Sequence, residues 1–193
     1  GMRMDGAAVL ARKERTKPIV DRGHVPVIPA MGNLPIVRDL VVDMGPFWNK
    51  IRAVKPWLDP GYDEVAEKER IVSQQAMNVI HKEALCIMCG CCVSECNSME
   101  ADPDFLGPAA LAKGMRFVGD ARDQAKVERL QSYSEEHGIW DCTRCYFCNE
   151  RCPKGVDPRD AIAKLGAESI RLGIDRDLGA KHALWFIHSA KTT

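Results

Sequence analysis

The chain has 193 residues, with 27 lysines and arginines against 27 aspartates and glutamates, so its formal net charge is zero. That balance argues against a nucleic-acid binder held by a basic face. Because 46% of the residues are apolar, the chain can bury a core as one domain or two small ones, and disorder is excluded as its main state. We expect no membrane span or signal peptide, because uncharged stretches such as 25–37 are short and interrupted by prolines.

The predicted elements change character along the chain. Residues 1 to about 45 have the pattern of short extended pieces with a turn at 31–33. From Arg38 the composition turns helical, and the helical pattern continues to about residue 52, before Pro56. An amphipathic helix is then predicted over 62–84. Its apolar stripe consists of Val65, Ile71, Met77, Ile80 and Ala84.

Further helices are predicted between and after two cysteine-rich segments. They cover 107–118, 120–133, 158 to about 173, and 178–189. Asp120 and Asp157 are predicted as the N-caps of the second and third of these, and Pro158 occupies the first helical position. The fold class is therefore mainly α from about residue 46, with two cysteine loops set between helices.

Nine cysteines carry most of the functional information, and eight of them repeat one spacing. The first run is Cys86-x2-Cys89-x2-Cys92-x3-Cys96, and the second is Cys142-x2-Cys145-x2-Cys148-x3-Cys152-Pro153. Such crowding suits metal sites in a reducing compartment better than a disulfide framework.

This spacing indicates iron–sulfur clusters. Three thiolates at x2, x2 spacing wrap three corners of a cubane, while the fourth points away and can ligate the other cluster. The predicted ligands are Cys86, Cys89, Cys92 and Cys152 for the first cluster, and Cys96, Cys142, Cys145 and Cys148 for the second. Cys91 is left over and is expected to be a small buried residue. Two such clusters form an electron relay that needs no substrate pocket of its own.

Zinc is the alternative, since paired C-x2-C motifs also make Cys₄ sites. A single zinc site needs four ligands, whereas this chain offers eight in two runs, which favours iron–sulfur chemistry. Gly90 lets the backbone approach a cluster closely because it has no side chain. Arg144, Arg151 and Lys154 either offset the negative charge of a Cys₄ cluster or are simply solvated.

With these motifs the sequence resembles the iron–sulfur subunit of succinate dehydrogenase and fumarate reductase over nearly its whole length. Besides the two cysteine runs, the resemblance is carried by Arg38-Asp39-Leu40-Val41-Val42-Asp43, Lys55-Pro56-Trp57-Leu58, Asp102-Pro103-Asp104-Phe105-Leu106-Gly107-Pro108, Arg116-Phe117, Asp120-Ala121-Arg122-Asp123 and Cys152-Pro153-Lys154-Gly155-Val156-Asp157-Pro158.

The resemblance implies a plant-type 2Fe-2S ferredoxin domain followed by an α-helical ferredoxin domain with a 4Fe-4S and a 3Fe-4S cluster. It implies a subunit that relays electrons between a FAD subunit, which handles succinate or fumarate, and a membrane anchor that handles quinone. Residues 1–45 are expected to be a remnant of the first domain and 46–193 to form the second. The subunit is expected to lie peripherally, on the cytoplasmic side of the membrane.

Three departures from the family pattern matter. Arg12 occupies the position of the family's last 2Fe-2S ligand, and the upstream cysteines are absent, so no 2Fe-2S cluster is expected in this chain. The sequence starts at Gly1, as if upstream sequence were missing. Cys145 replaces the aliphatic residue of the 3Fe-4S site, which predicts a second 4Fe-4S cluster, with 3Fe-4S as the alternative. The positions that line the usual quinone site also differ. They are occupied by Asn97, Ser98, Glu100, Ala101 and Thr143.

Two other functions remain open at this stage. The cysteine runs alone also allow the iron–sulfur subunit of a glycolate, glycerol-3-phosphate or heterodisulfide-type complex, although the residues between the runs favour the succinate family. A zinc-stabilised helical interaction module without a redox role is the alternative from another class. The sequence contains no nucleophile motif, phosphate loop or dinucleotide fingerprint, so chemistry on a carbon substrate is expected to reside in a partner.

Overall fold

The structure is a computed structural model that describes residues 2–4, 7–9, 29–61 and 69–192. Two small antiparallel sheets lie in its N-terminal part. Strand β1 (Met2–Met4) pairs with β2 (Ala7–Val9), so that Met2 lies opposite Val9, and β3 (Ile36–Arg38) pairs with β4 (Val41–Val42).

The rest of the described chain is helical, which confirms the predicted fold class. The helices are α1 (Gly45–Ala53), α2 (Gln74–Ala84), α3 (Cys91–Ser94), α4 (Asn97–Ala101), α5 (Gly107–Val118), α6 (Lys126–Tyr133), α7 (Phe147–Glu150), α8 (Pro158–Arg171) and α9 (Leu178–Thr192), with a 3₁₀ turn at Ile139–Asp141.

Helix α5 is the centre of the core and packs against α1, α2, α6 and α8. Nearly every residue of α5 is buried, because small residues such as Ala109, Ala112 and Gly114 allow neighbouring elements to come close. A Cβ atom at Gly114 would lie 2.8 Å from the Tyr133 ring of α6. The short helices that follow each cysteine loop, α3 and α7, pack on each other beside this core.

A buried, ion-paired arginine of α6 joins this helix to the segment after α1. Arg129 is 3% exposed and donates to Asp123 Oδ2 at 2.8 Å. Its guanidinium also donates to the carbonyls of Val54, Lys55 and Trp57. The pair is therefore satisfied on all sides, which a buried charge requires. The family-like motif around Asp123 thus has a scaffolding role.

The helix predicted from Arg38 is wrong, because β3 and β4 form a hairpin there. Asp39 turns the chain with φ of 51°, and Asp43 N–H donates to the Pro35 carbonyl at 2.8 Å, which closes the hairpin. Its β-branched residues favour strands over helices. Helix α1 begins only at Gly45, with Pro46 in its first turn.

The helix predicted over 62–84 is shorter than expected. Residues 62–68, including Val65, lie outside the described residues, and α2 begins at Gln74 because the Ser73 side chain caps Ala76 N–H at 3.2 Å. The predicted stripe is mostly wrong, since only Ile80 of its described members is buried. Glu83 takes the neighbouring buried position and pairs with Lys164 of α8 at 2.9 Å.

The later helices agree better with the sequence predictions. Helix α5 covers the predicted 107–118, and α8 begins at Pro158 as predicted. Asp120 does not cap α6, because its carboxylate accepts hydrogen bonds from Arg116 and Arg122. Asp157 adopts φ of 55° before α8 without capping it through its side chain, and its carboxylate pairs with Lys82 of α2.

Residues 29–45 pack on the helical part. Met31 and Leu34 belong to the same buried cluster as α1 and α5. The predicted domain boundary at residue 45 stays a prediction. Arg12 and the residues around it lie outside the described ranges, so the expectation about a 2Fe-2S cluster also stays a prediction.

Candidate metal centres

The two cysteine loops have the same backbone conformation. In each loop the residue before the second cysteine is left-handed, with φ of 52° at Met88 and 58° at Arg144. The residue after that cysteine is left-handed too, with φ of 77° at Gly90 and 68° at Tyr146. Each loop then enters a one-turn helix, α3 or α7. The sequence repeat is therefore also a structural repeat.

Left-handed residues alternating with right-handed ones turn successive backbone N–H groups toward one side, which makes a concave anion-binding surface typical of iron–sulfur sites. Backbone N–H groups in the loops and in the segments around them face cysteine sulfur atoms. Val156 N–H donates to Cys152 Sγ at 3.3 Å. The other N–H to sulfur pairs are Cys91 to Cys89, Ser98 and Met99 to Cys96, Arg144 to Cys142, and Arg159 to Cys148.

The first cysteine set lies around one cavity. Cys86, Cys89, Cys92 and Cys152 all line it, together with residues of α5. Burial raises the pKa of the Cys92 thiol, and the negative charges of the other cysteines in this set and of Cys148 raise it further. Cys152 of the second run thus lines the same cavity as three cysteines of the first run, and its predicted role as a ligand there stays a prediction.

The second cysteine set is brought together in the reciprocal way. Burial raises the pKa of Cys96, and the nearby thiolate charges of Cys142 and Cys145 add to this effect. Burial also raises the pKa of Cys148 to about 12, followed by the charges of Cys142, Cys96 and Cys145. Ser98 joins the two loops, because its Oγ accepts Thr143 N–H at 3.1 Å. Cys145 is the exposed member of the set.

Cys91 is fully buried at the first position of α3, in agreement with the small buried residue expected from the sequence. Its thiol hydrogen-bonds Cys89, and this contact lowers the pKa of Cys89 to about 6. The same hydrogen bond, together with burial, raises the pKa of Cys91.

The donor geometry fits clusters better than single zinc ions. Four sulfurs bound to one zinc at about 2.3 Å lie within about 4 Å of one another. Within the residues that the structure describes, no three His, Cys, Asp or Glu side chains are placed to hold one metal ion. A cubane binds each thiolate at a different corner, so its ligands stay further apart. Two buried arginine Nε atoms, of Arg151 and Arg159, also find no acceptor among the described residues.

The positions at which this chain departs from the family's quinone site differ in their exposure to solvent. Asn97, Glu100, Ala101 and Thr143 are exposed, whereas Ser98 is buried and hydrogen-bonded to the second loop. Sequence reasoning missed Arg159, which lies 4.6 Å from the Tyr146 ring centroid in the second loop. Its only sequence signal is a positive charge in the first turn of α8, so spacing alone does not find it.

Interlocked cysteine sets in a helical scaffold define an iron–sulfur protein of the α-helical ferredoxin class. The family described as a 4Fe-4S dicluster domain matches residues 84–156. A fumarate reductase iron-sulfur subunit of Escherichia coli is 36% identical over 88% of this chain and 68% of its own length. A succinate dehydrogenase iron-sulfur subunit of Coxiella burnetii is 36% identical over 89% of this chain and 72% of its own length.

A fumarate reductase iron-sulfur subunit of Mycobacterium tuberculosis is 42% identical over 74% of this chain and 58% of its own length. The fold is similar to a chain of the Mycobacterium smegmatis Sdh1 complex in the apo form, with a TM-score of 0.80 at 20% identity, covering 92% of this chain and 74% of that one. The chain belongs to the family of succinate dehydrogenase and fumarate reductase iron–sulfur subunits. It is therefore an electron-transfer subunit of an oxidoreductase.

None of the helices in the described ranges has the length and apolar character needed to cross a bilayer.

Proposed function

We propose that this chain holds two 4Fe-4S clusters and relays single electrons between a FAD-containing subunit and a membrane anchor. The interlocking of the two cysteine runs carries this proposal. Cys152 lies with the first three cysteines of the first run, and Cys96 lies with those of the second. Each run therefore contributes to both sites, which keeps the two centres close together, as an electron relay requires.

The clusters, when bound, supply the one-electron chemistry. The cysteine thiolates hold the irons at fixed corners, and the surrounding N–H groups stabilise the reduced, more negative state. Burial acts in the opposite direction, because a low-dielectric site disfavours added charge. The balance between N–H donation and burial sets the reduction potential of each cluster. The two potentials are expected to differ because the two loops differ in exposure.

A 4Fe-4S cluster is proposed at the second site because of Cys145. This cysteine occupies the same loop position as Cys89 does in the first run, between two left-handed residues. Its charge acts on Cys96, Cys142 and Cys148, which supports assigning all four cysteines to one site. An all-cysteinate 4Fe-4S cluster generally has a lower potential than a 3Fe-4S cluster, which changes how readily electrons pass to a quinone.

The final acceptor is proposed to differ from the usual quinone arrangement. Glu100 and Ala101 replace an aromatic pair of the family pattern, and Thr143 replaces a histidine. Loss of the aromatic walls and of the polar group favours either a different acceptor or an anchor of another type. Oxidation of succinate or reduction of fumarate is assigned to the flavin subunit, which also sets the direction together with the acceptor's potential.

Iron and acid-labile sulfide should be measured per chain on anaerobically purified protein, with EPR spectra before and after dithionite reduction. Two 4Fe-4S clusters require about eight irons and a signal only after reduction. About seven irons with a 3Fe-4S signal in the oxidised protein would instead show that Cys145 is not a ligand. A colourless protein containing zinc would contradict the relay altogether.

Association with a flavoprotein tests the partner assignment. A tagged chain expressed with its genomic neighbours should co-purify with a FAD-containing subunit in a stable complex. A chain that binds both clusters but never associates with a flavoprotein would falsify the assignment. The relatives named above are all subunits of succinate dehydrogenase or fumarate reductase, which favours this partner over those of glycolate, glycerol-3-phosphate or heterodisulfide enzymes.

A further inference from the structure

The guanidinium of Arg159 lies beside the second cysteine set, although Arg159 belongs to helix α8. Its side chain is 22% exposed. It lines the same cleft, of about 570 Å³, as Cys142 and Arg144. Arg159 of α8 and Cys142 of the second loop therefore lie at the wall of one cleft.

Separate contacts fix the position of Arg159. Its Cζ lies 4.6 Å from the centroid of the Tyr146 ring. Its Nη1 donates to Asp160 Oδ1 at 3.0 Å. Its backbone N–H donates to Asn149 Oδ1 at 2.8 Å and also faces the sulfur of Cys148. The side chain is thus stacked on one residue of the second loop, while its backbone is bonded to α7.

One donor of this side chain is left without a protein acceptor. The Nε atom of Arg159 is buried, and among the described residues it has no hydrogen-bond partner. A buried donor without an acceptor is costly, so such an atom calls for an explanation. Sulfur atoms of a cluster held by Cys142 and Cys148 accept hydrogen bonds and carry negative charge, which matches this donor.

We propose that Arg159 donates from Nε to a sulfur of the second cluster and thereby raises the reduction potential of that cluster. Reduction adds one negative charge to the cluster, and a nearby cation with an N–H donor stabilises the reduced state more than the oxidised one. The first cavity has Lys154 as a lining cation, and that residue is exposed. Arg159 is not among the residues that line this first cavity, so its effect is expected at the second centre.

The inference rests on the proposed second cluster, and potentials measured in the purified complex test it. Arg159→Met removes the charge and keeps much of the side-chain volume, and Arg159→Lys keeps the charge but loses Nε. The matched control is Arg171→Met on the same helix, because Arg171 is exposed and pairs with Glu168. EPR-monitored redox titration gives the midpoint of each cluster separately.

In Arg159→Met the equilibrium constant for reducing the second cluster should fall about tenfold, which lowers its midpoint by about 59 mV. Arg159→Lys should lower the midpoint of the second cluster by a smaller amount. Arg171→Met should leave the midpoint of the second cluster unchanged, and the midpoint of the first cluster should stay the same in all of these variants. A second-cluster midpoint that stays at the wild-type value in Arg159→Met would overturn the proposal. Equal shifts of both clusters would overturn it as well, because they indicate a general change in structure.

A second measurement needs only the wild-type protein and Arg159→Lys. It tests the proposed hydrogen bond from Arg159 even if Arg159→Met fails to assemble. Protein labelled with ¹⁵N at arginine side chains should show a nitrogen hyperfine coupling on the reduced second cluster in pulsed EPR. The coupling should disappear in Arg159→Lys and persist in Arg144→Lys. Absence of the coupling in the wild-type protein contradicts the proposal.

Iron and sulfide content separates the two possible failures. If the wild-type protein lacks a second cluster, the proposed function fails on metal content before any potential is measured. If the cluster is present but its potential and hyperfine couplings do not depend on Arg159, only the role of this residue is lost.

Discussion

The two cysteine loops share one backbone but lie in different surroundings. The first loop lines a cavity closed by α5, and its left-handed position after the second cysteine is Gly90. The second loop is exposed over residues 143–147, and Tyr146 occupies the corresponding position. Since the ligand geometry is repeated, differences between the two centres arise from burial and nearby charge. One sequence motif thus lies in two different surroundings.

Removing Cys92, a half-buried cysteine proposed as a ligand of the first cluster, should have the largest effect. Cys92→Ala is expected to abolish the first cluster and to reduce iron from about eight to about four per chain, because this thiolate is enclosed by the other three ligands of its site. Iron analysis and thermal unfolding measure the outcome. Cys91→Ala is the control, since this neighbouring cysteine is buried but unassigned. Equal iron loss in both variants would contradict the ligand assignment.

Removing Cys145, the exposed cysteine proposed as a ligand in the second loop, should have a smaller effect than removing Cys92. Cys145→Ser should convert the second cluster to a 3Fe-4S type or make it labile, because an exposed corner loses its thiolate while three ligands remain. The iron content should fall by about one, and a signal should be visible in the oxidised protein. An unaltered cluster spectrum would rule out Cys145 as a ligand.

The two left-handed positions give a direct comparison of backbone strain. Gly90→Ala should destabilise the protein by about 1–3 kcal/mol, because φ is positive and the new Cβ would lie 2.8 Å from Met31 Cε. Tyr146→Gly should change stability by no more than about 1 kcal/mol, since relief of strain is offset by chain entropy and the lost Arg159 contact. Urea unfolding followed by circular dichroism measures both. Similar values for both variants would show that the loops tolerate side chains equally.

Asn33 holds the first loop in place through two hydrogen bonds. Its Nδ2 donates to the carbonyls of Val93 and Cys96, at 2.8 and 2.9 Å. Asn33→Ala should cost about 1–3 kcal/mol, because it removes two hydrogen bonds of about 0.5–1.5 kcal/mol each, although both carbonyls keep a backbone N–H donor, from Cys96 and Glu100. Asn49→Ala is a control, since Asn49 is exposed and bonds only to exposed Arg52 among the contacts described. The two variants are compared by urea unfolding, and a matching stability would show that Asn33 does not hold the loop.

The smallest expected effect is a pH dependence near the start of the second loop. The hydrogen bond from His137 Nδ1 to Asp102 Oδ2, at 2.8 Å, raises the pKa of His137 and lowers that of Asp102. The charged pair therefore stabilises the fold fully below the unfolded histidine pKa of about 6.5, and this stability is lost as pH rises through the higher folded value. Both side chains are partly exposed, so solvent screens the pair and the effect is small.

His137→Gln should flatten the dependence of the thermal midpoint on pH between about 6 and 8. High salt should have a similar but weaker effect on the wild-type protein, because it screens the exposed pair. A wild-type midpoint that rises through this interval would contradict the assigned sign.

Much of the fold near the cysteines could be predicted because the relevant signals are local. The helix over 107–118 follows from Gly107-Pro108 and its apolar composition, and Pro158 marks the start of α8. The hairpin at 36–42 was missed, because hydropathy alone reveals neither the tight turn at Asp39 nor the strand preference of the β-branched residues around it. Asp120 was misassigned as a cap, since its arginine partners engage the carboxylate.

The sequence by itself determined the chemistry of this protein, because repeated thiolate spacing dictates which cluster a loop can wrap. It also determined the family, through motifs spread along the chain. Only the tertiary structure decided the surroundings of each centre. It buried Glu83 against Lys164, held Arg129 among distant carbonyls and brought Arg159 of α8 beside Tyr146. Ligand spacing is a short-range property of the chain, whereas charge and burial at each site come from segments that meet only on folding.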